Sequence, residues 1–122
     1  MEQIKALLVD DEQDLAATLT KRLKIRGIDA YYTTSGQKAL EQLKNQTFDI
    51  AIVDLKMPGL SGIEFMKKVR QNDKKIKFIF VSGHSSKQEA EEGLKEGAFD
   101  FLLKPVDIDI LVQKIQLAMQ QR

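Results

Sequence analysis

One stretch near the middle of the chain reads Ile50-Ala51-Ile52-Val53-Asp54-Leu55-Lys56-Met57-Pro58-Gly59. Its first four residues are apolar, which is typical of a strand buried on both faces of a sheet. Pro58 and Gly59 then end the strand. Asp54 therefore falls at the carboxyl end of a central strand, where open α/β sheets place their ligand sites. Because Asp also favours turns, this position alone is equally consistent with a simple turn.

Composition and charge exclude several classes of protein. A length of 122 residues predicts one domain over 1–122, and 43% apolar with 30% charged residues is ordinary for a globular protein. The 19 basic and 18 acidic residues leave a net charge of +1, which gives no indication of nucleic-acid binding. The chain has no cysteine and one histidine, His84, so thiolate and multi-histidine zinc sites are excluded.

The sequence also gives no indication of a membrane partner. No apolar run approaches the roughly 20 residues that span a bilayer. The first residues, Met1 to Lys5, lack the basic and then apolar layout of a signal peptide. We therefore expect a cytoplasmic protein.

Strand and helix patterns alternate five times along the chain. A repeat of Leu15, Leu19 and Leu23 marks the first helix, which Gly27 closes. Such alternation predicts an α/β fold with a five-stranded parallel sheet and helices on both faces. We expect the sheet to be doubly wound with strand order 2-1-3-4-5, a common arrangement for sheets of this kind. The strands are expected over Ile4 to Val9, Ile28 to Thr33, Phe48 to Val53, Ile76 to Val81 and Phe99 to Leu103.

Polar residues mark the predicted helix starts. Asp107 is expected to cap the fifth helix. Capping boxes, in which a hydroxyl residue precedes Glu or Gln by three positions, are expected for the second, third and fourth helices. Their residue pairs are Thr34 with Gln37, Ser61 with Glu64, and Ser86 with Glu89.

The last two helices carry unusual apolar patterns. The fourth has Ala90 and Leu94 as its apolar anchors and Gly93 inside it, which predicts either a weakly held element or an ordinary surface helix. On the fifth, Ile110 and Leu117 lie opposite the buried face and form either a partner interface or two ordinary exposed residues. The buried face itself is expected to comprise Ile108, Leu111, Val112, Ile115 and Met119.

Five polar residues fall at the predicted carboxyl ends of four strands, namely Asp10, Asp11, Asp54, Ser82 and Lys104. Because the first and third strands are neighbours, the three carboxylates are expected to meet and repel each other. A divalent cation relieves that repulsion, and oxygen ligands favour Mg²⁺ or Mn²⁺. In the simpler alternative, the first two acids only cap the first helix.

Lys104 and Ser82 are candidates for binding a phosphoryl group near these acids. A lysine whose backbone is constrained by the following Pro105 suits such a group, although most lysines are ordinary surface residues. We expect a cis Lys104–Pro105 peptide, because the chain must turn sharply there. Ser82 is placed to donate a hydrogen bond to a phosphate oxygen, or else is a turn serine.

Taken together, these motifs resemble the receiver domain of bacterial two-component response regulators over essentially the whole chain. The resemblance implies a flavodoxin-like fold and a phosphoacceptor signalling domain rather than an enzyme. The motifs that carry it are Asp10-Asp11, Asp54-x-x-Met57-Pro58-Gly59, Ser82-Gly83, Gly97-Ala98-Phe99-Asp100-Phe101 and Lys104-Pro105.

The resemblance implies a role for each acidic residue. Asp54 is the expected phosphoacceptor, and its partner is a histidine kinase. Asp11, Asp54 and the backbone carbonyl of Lys56 are expected to bind Mg²⁺ or Mn²⁺, and Asp10 to act on the ion through water.

The resemblance further implies a switch. Lys104 is expected to pair with the phosphoryl oxygens, Ser82 to move to the phosphate and Phe101 to rotate inward behind it. The face made by helix four, strand five and helix five would then bind a second copy or an effector. The bulk of Lys56 and His84 is expected to hinder the water that attacks the phosphoaspartate, and in the alternative a basic His84 orients that water.

Three other classes of protein remain as alternatives. A flavin- or nucleotide-binding protein of this fold needs a glycine- or hydroxyl-rich loop after the first strand, where this chain has Asp10-Asp11-Glu12. An aspartate-nucleophile phosphatase resembles Asp-x-Asp after a strand, but Lys56 occupies the second position. A receiver-like interaction scaffold that is never phosphorylated is the third, and the intact acids and lysine argue against it.

Overall fold

The computed structural model describes residues 3–83 and 87–121, in which five strands and five helices alternate. The strands are β1 Lys5–Val9, β2 Asp29–Thr33, β3 Ile50–Asp54, β4 Lys77–Ser82 and β5 Asp100–Leu103. The helices are α1 Gln13–Ile25, α2 Gly36–Asn45, α3 Gly62–Arg70, α4 Lys87–Lys95 and α5 Ile108–Gln120.

All five strands are parallel and ordered β2-β1-β3-β4-β5, so the predicted doubly wound, flavodoxin-like fold is confirmed. Every residue of β3 is buried, because helices cover both faces of the sheet. One core cluster joins the sheet to α2, α3 and α4, and the other joins it to α1 and α5. Val9 pairs with Val53 and Asp54 with Val81, which brings the carboxyl ends of three strands together.

The predicted strands begin one or two residues too early. Ile28, Phe48 and Ile76 are buried, yet each precedes the first residue of its strand. These side chains pack into the core at the amino-terminal edge of the sheet, just before the backbone begins to pair with the neighbouring strands. An apolar sequence pattern reports burial, so it does not separate such a residue from the strand that follows.

Two of the predicted helix caps are confirmed. Ser61 and Glu64 form the complete capping box of α3, with both hydrogen bonds at 3.2 Å. Asp107 caps α5, where its Oδ1 accepts from the backbone N–H groups of Asp109 and Ile110 at 2.9 and 3.2 Å. These caps satisfy amide groups that have no partner inside their own helices.

The capping box expected at Thr34 and Gln37 is wrong. The cap of α2 is Ser35, whose Oγ accepts from the backbone N–H of Lys38 at 3.1 Å. Adjacent hydroxyl residues have similar capping ability, and the cap is the one whose backbone lies at the first helical turn. The pair expected for α4 contains Ser86, which lies outside the described residues.

The anchoring of α4 differs from the prediction. Ala90 is buried as expected, but Leu94 is 36% exposed and does not anchor the helix. The second buried residue is Gly93, whose missing side chain lets the helix backbone approach β4 closely. A residue expected only to weaken α4 therefore forms part of its contact with the sheet.

The two faces of α5 match the prediction. Leu111 and Ile115 are fully buried, and the other expected inward residues pack against the same cluster. Ile110 and Leu117 are 43% and 50% exposed, so both project away from the core. Within the described ranges, no helix is long and apolar enough to cross a membrane.

Candidate functional site

The carboxyl edge of the sheet brings together four of the five predicted polar residues. Asp10, which directly follows β1, and Asp54, the last residue of β3, are buried, and so is Ser82 at the end of β4. Lys104 follows β5, and its side chain is 22% exposed. Asp11, in contrast, is exposed.

Asp54 is held by contacts on both of its carboxylate oxygens. Its Oδ1 accepts from the backbone N–H of Lys56 at 3.1 Å, and its Oδ2 lies 3.3 Å from Lys104 Nζ. Gly62 packs tightly below, since a Cβ there would stand 2.9 Å from the Asp54 carbonyl oxygen. The carboxylate is therefore fixed in position at the carboxyl edge of the sheet.

The ammonium of Lys104 lies among three carboxylates. Its Nζ is 2.7 Å from Glu12 Oε1, 3.3 Å from Asp54 Oδ2 and 3.5 Å from Asp10 Oδ2. Burial alone would lower the pKa of Lys104, but these three neighbours outweigh it, so that the pKa lies above its ordinary value. The lysine is thus a fixed positive charge beside Asp54.

The backbone at Lys104 has the conformation that the sequence predicted. The Lys104–Pro105 peptide is cis, and the N–H of Lys104 donates to the carbonyl of Ser82 at 2.8 Å. This hydrogen bond ties the end of β5 to the end of β4. The two residues proposed to bind the oxygens of a phosphoryl group are therefore joined by a backbone hydrogen bond.

The surroundings of Asp10 make its charged form unfavourable. Burial raises its pKa above the ordinary value, and the charges of Asp54 and Glu12 add to this effect. The hydrogen bond from the backbone N–H of Glu12 at 2.9 Å and the charge of Lys104 act in the opposite direction without cancelling it. An acid in such surroundings gains from an additional cation.

A cation site is consistent with the donor set at this edge. One carboxylate oxygen from each of Asp10, Glu12 and Asp54 can be chosen so that all three lie within 4.8 Å of one another. Carboxylate ligands suit a hard cation such as Mg²⁺ or Mn²⁺. Asp11, which was expected to bind the ion directly, is not in this group, and its role remains a prediction.

Sequence reasoning did not identify Glu12 as a site residue. One signal was available, because Glu12 continues the acidic run after β1 at the position that caps α1. Glutamate is not a preferred capping residue. Its side chain makes no capping hydrogen bond and instead turns towards Lys104.

The two residues of the predicted switch, Ser82 and Phe101, lie at the end of β4 and within β5. The Oγ of Ser82 is inaccessible to solvent and has no hydrogen-bond partner among the described residues. Phe101 on β5 is partly buried against the core cluster that includes Phe80 and Ala90. The movement of either residue remains a prediction.

The residues expected to hinder water attack are only partly described. Lys56 is exposed, and its Nζ lies 3.7 Å from Glu89 Oε1 in the first turn of α4. His84 lies outside the described residues. The chain segment after Asp54 therefore contacts α4 through an ion pair.

The chain is a doubly wound α/β protein with a candidate ligand site at the carboxyl edge of its sheet. The site consists of an acidic cluster and a lysine at the switch point of the 2-1-3-4-5 strand order. The chain belongs to the response regulator receiver domain family, whose model matches residues 6–116. The resemblance noted in the sequence is thereby confirmed.

Curated relatives are similar over nearly the whole chain. The transcriptional regulatory protein ZraR of Escherichia coli K12 is 33% identical over 118 residues, which is 97% of this chain and 27% of the relative. The response regulator ArlR of Staphylococcus saprophyticus is 30% identical over 97% of this chain and 53% of its own length. The chain therefore spans about a quarter to a half of these relatives.

Solved structures share the fold. A response regulator receiver domain protein from Clostridium thermocellum superimposes with a TM-score of 0.92 at 29% identity, covering 97% of this chain and 95% of that one. The structure of FixJ-N gives a TM-score of 0.90 at 26% identity, covering 100% and 98% of the two chains. This likeness confirms a receiver domain with the predicted strand order.

Proposed function

We propose that Asp54 accepts a phosphoryl group from the phosphohistidine of a histidine kinase. The observation that carries this proposal is the contact between Asp54 and Lys104, in which a buried carboxylate faces a fixed ammonium at 3.3 Å. Phosphoryl transfer depends chiefly on positioning and charge neutralisation. The site offers both, since the backbone N–H of Lys56 orients the carboxylate.

In the proposed reaction, a carboxylate oxygen of Asp54 attacks phosphorus and forms an acyl phosphate. The bond between phosphorus and the histidine nitrogen breaks, and its electron pair stays on the departing imidazole. Lys104 pairs with the phosphoryl oxygens and offsets their charge. Ser82, whose hydroxyl has no partner among the described residues, donates to one of those oxygens.

We propose Mg²⁺ or Mn²⁺ as the cofactor of this site. Asp11, Asp54 and the backbone carbonyl of Lys56 would hold it, and Asp10 would act on it through water, as the family resemblance implies. A bound cation would supply further neutralisation of the phosphoryl oxygens. The surroundings of Asp10 support this assignment, because burial, together with the charges of Asp54 and Glu12, raises its pKa and makes its charged form unfavourable without a further cation.

The proposed output is a change in the surface formed by α4, β5 and α5. Ser82 ends β4 next to this surface, and Phe101 belongs to β5 within it. The buried residues of α4 are both small, Ala90 and Gly93. The partner would be a second copy or an effector. We propose a single cytoplasmic receiver domain over 1–122, a signalling domain with neither nucleic acid nor membrane as a direct partner.

Intact-mass spectrometry after treatment with acetyl phosphate tests the assignment. We expect wild type to gain one phosphoryl group only when Mg²⁺ or Mn²⁺ is present, and Asp54→Asn to gain none. Asp14→Asn, which alters an exposed acid in the first turn of α1, is the control and should label like wild type. Equal labelling of wild type and Asp54→Asn would refute the assignment. No labelling at all would favour the scaffold that is never phosphorylated.

A further inference from the structure

The shortest contact of the Lys104 ammonium is with Glu12. The Nζ to Oε1 distance is 2.7 Å, whereas Asp54 and Asp10 lie at 3.3 and 3.5 Å. This ion pair connects the loop after β1 to the loop after β5, across the mouth of the site.

The backbone and the side chain of Glu12 have different roles. Its carbonyl accepts from the backbone N–H of Ala16 at 3.0 Å and so begins α1. Its own N–H donates to Asp10 Oδ1, which fixes the backbone beside the site. The side chain is then free of any capping role and points at Lys104.

We propose that Glu12 is the exchangeable counter-ion of Lys104, a positioning residue that holds the ammonium while Asp54 is unmodified and releases it when a phosphoryl group arrives. This inference rests on the proposed role of Asp54. It assigns to Glu12 a control over how readily the site accepts an anion.

The arrangement of donors and acceptors favours an exchange of partners at the ammonium. An ammonium has three N–H donors, and three carboxylates surround this one. The ammonium donates to Glu12 and Asp54 and lies at ion-pair distance from Asp10, so the further oxygens of a phosphoryl group would compete with these carboxylates for its donors. Asp54 and Asp10 each also accept a backbone hydrogen bond, from Lys56 and from Glu12.

The carboxylate of Glu12 is the one that leaves at least cost. Among the described residues it accepts no hydrogen bond except from Lys104. Its side chain is 61% exposed, while those of Asp10 and Asp54 are 8% exposed. On release it returns to water, whereas either of the other two would remain buried without its counter-ion.

Beryllofluoride, a phosphoryl mimic, tests the exchange in a double-mutant cycle at saturating Mg²⁺. Glu12→Gln removes a contact made only in the unmodified state, so we expect affinity to rise about two- to fivefold, the range of an exposed ion pair. In the background of Lys104→Met, the same change should alter affinity by less than about twofold. Glu12→Asp, which is too short to keep the contact, should behave more like Glu12→Gln than like wild type.

Two results would overturn the proposal. If the gain from Glu12→Gln persists in Lys104→Met, the carboxylate only repels incoming anions. If Glu12→Gln weakens both Mg²⁺ binding, titrated separately, and beryllofluoride binding, the residue is a metal ligand instead.

A second measurement does not require phosphorylation. In metal-free wild type, the 15N-detected ammonium signal of Lys104 should show slow proton exchange with water, because the 2.7 Å contact protects it. Glu12→Gln should accelerate that exchange, and an unchanged exchange rate would refute the ion pair. This readout separates the two proposals, since a failure of Asp54 to bind beryllofluoride leaves it intact.

Discussion

The ring of Phe80 lies directly beneath Gly93: a Cβ added to the glycine would stand 2.4 Å from Cε2 and 2.6 Å from Cδ2 of that ring. Phe80 is fully buried in β4, so the ring cannot move aside without disturbing the core. The closest approach of α4 to the sheet therefore requires glycine at this position.

We predict that Gly93→Ala destabilises the protein, although alanine is the better helix former by roughly 1 kcal/mol. Overpacking a core contact costs about 1–3 kcal/mol, so the steric effect should prevail and either lower the free energy of unfolding or shift α4 outward. Urea denaturation and the amide shifts of α4 measure the two effects. Gly83→Ala is the control, because an added Cβ there meets no atom of the described residues within 4 Å. A variant of Gly93 as stable as wild type, with unshifted α4, would contradict the prediction.

Asp10→Asn should stabilise the metal-free protein and weaken Mg²⁺ binding. Burial and the neighbouring acids make the charged form of Asp10 unfavourable, so its removal is expected to raise the free energy of unfolding by roughly 0.5–2 kcal/mol at neutral pH. Adding Mg²⁺ should stabilise wild type more than the variant. Thermal denaturation with EDTA or with Mg²⁺ provides the comparison.

The difference in stability between Asp10→Asn and wild type should change with pH in one direction. The folded-state pKa of Asp10 is raised, so its contribution to stability is complete at low pH and is lost as pH rises through that pKa. The advantage of Asp10→Asn without metal should therefore grow with increasing pH. An advantage that is constant or shrinks would show that the carboxylate is not strained.

Lys56→Ala should shorten the lifetime of the phosphorylated state by a factor of a few, and Lys56→Ala with His84→Ala should shorten it further. The lysine follows Asp54 by two residues, and its long side chain would hinder the attacking water. Phosphate release after removal of excess donor gives the rate. Glu89→Gln, which removes only the ion-pair partner of Lys56, is the control. Equal or slower release from the alanine variants would disprove the shielding role.

Ile110→Glu with Leu117→Glu should abolish any association that phosphorylation induces through α4, β5 and α5. Both side chains are exposed on the outer face of α5, and burying each contributes on the order of 1–2 kcal/mol. Sedimentation of the beryllofluoride-activated protein measures the mass change. Ile25→Glu is the control, since Ile25 is 76% exposed on α1 and should not matter. An equal mass change in wild type and the double variant would place the interface elsewhere, and no change in either would remove self-association from the proposal.

The strand ends and most of the polar residues at the carboxyl edge could be predicted from sequence because each depends on a local pattern, whereas the predicted strand order rests on the arrangement common to doubly wound sheets. The apolar runs ending in Asp54 and Ser82 locate strand ends, and parallel strands align those ends at one edge. Contacts that depend on how separate elements pack could not be predicted in this way. Gly93 looked unfavourable because the ring below it belongs to β4, and Glu12 was overlooked because its partner lies 92 residues away.

The cap of α2 shows that a sequence motif does not fix the exact residue at which a helix begins. Thr34 and Ser35 both carry a hydroxyl group, and the sequence motif favoured the first because Gln37 follows it by three residues. The structure uses the second, whose hydroxyl accepts from Lys38. Where the first helical turn starts depends on the angle at which the chain leaves β2, and that angle is set by packing rather than by the motif.

The buried hydroxyl of Ser82 should favour the phosphorylated state of the domain over the unmodified state. A buried polar group without a partner costs about 1–3 kcal/mol, and a phosphoryl oxygen on Asp54 would supply that partner in the modified state alone. An interaction confined to one of two states shifts the equilibrium between them by its full free energy, here about 5- to 150-fold. Phosphorylation would therefore draw part of the free energy of its conformational change from a hydroxyl group that has no partner among the described residues of the unmodified chain.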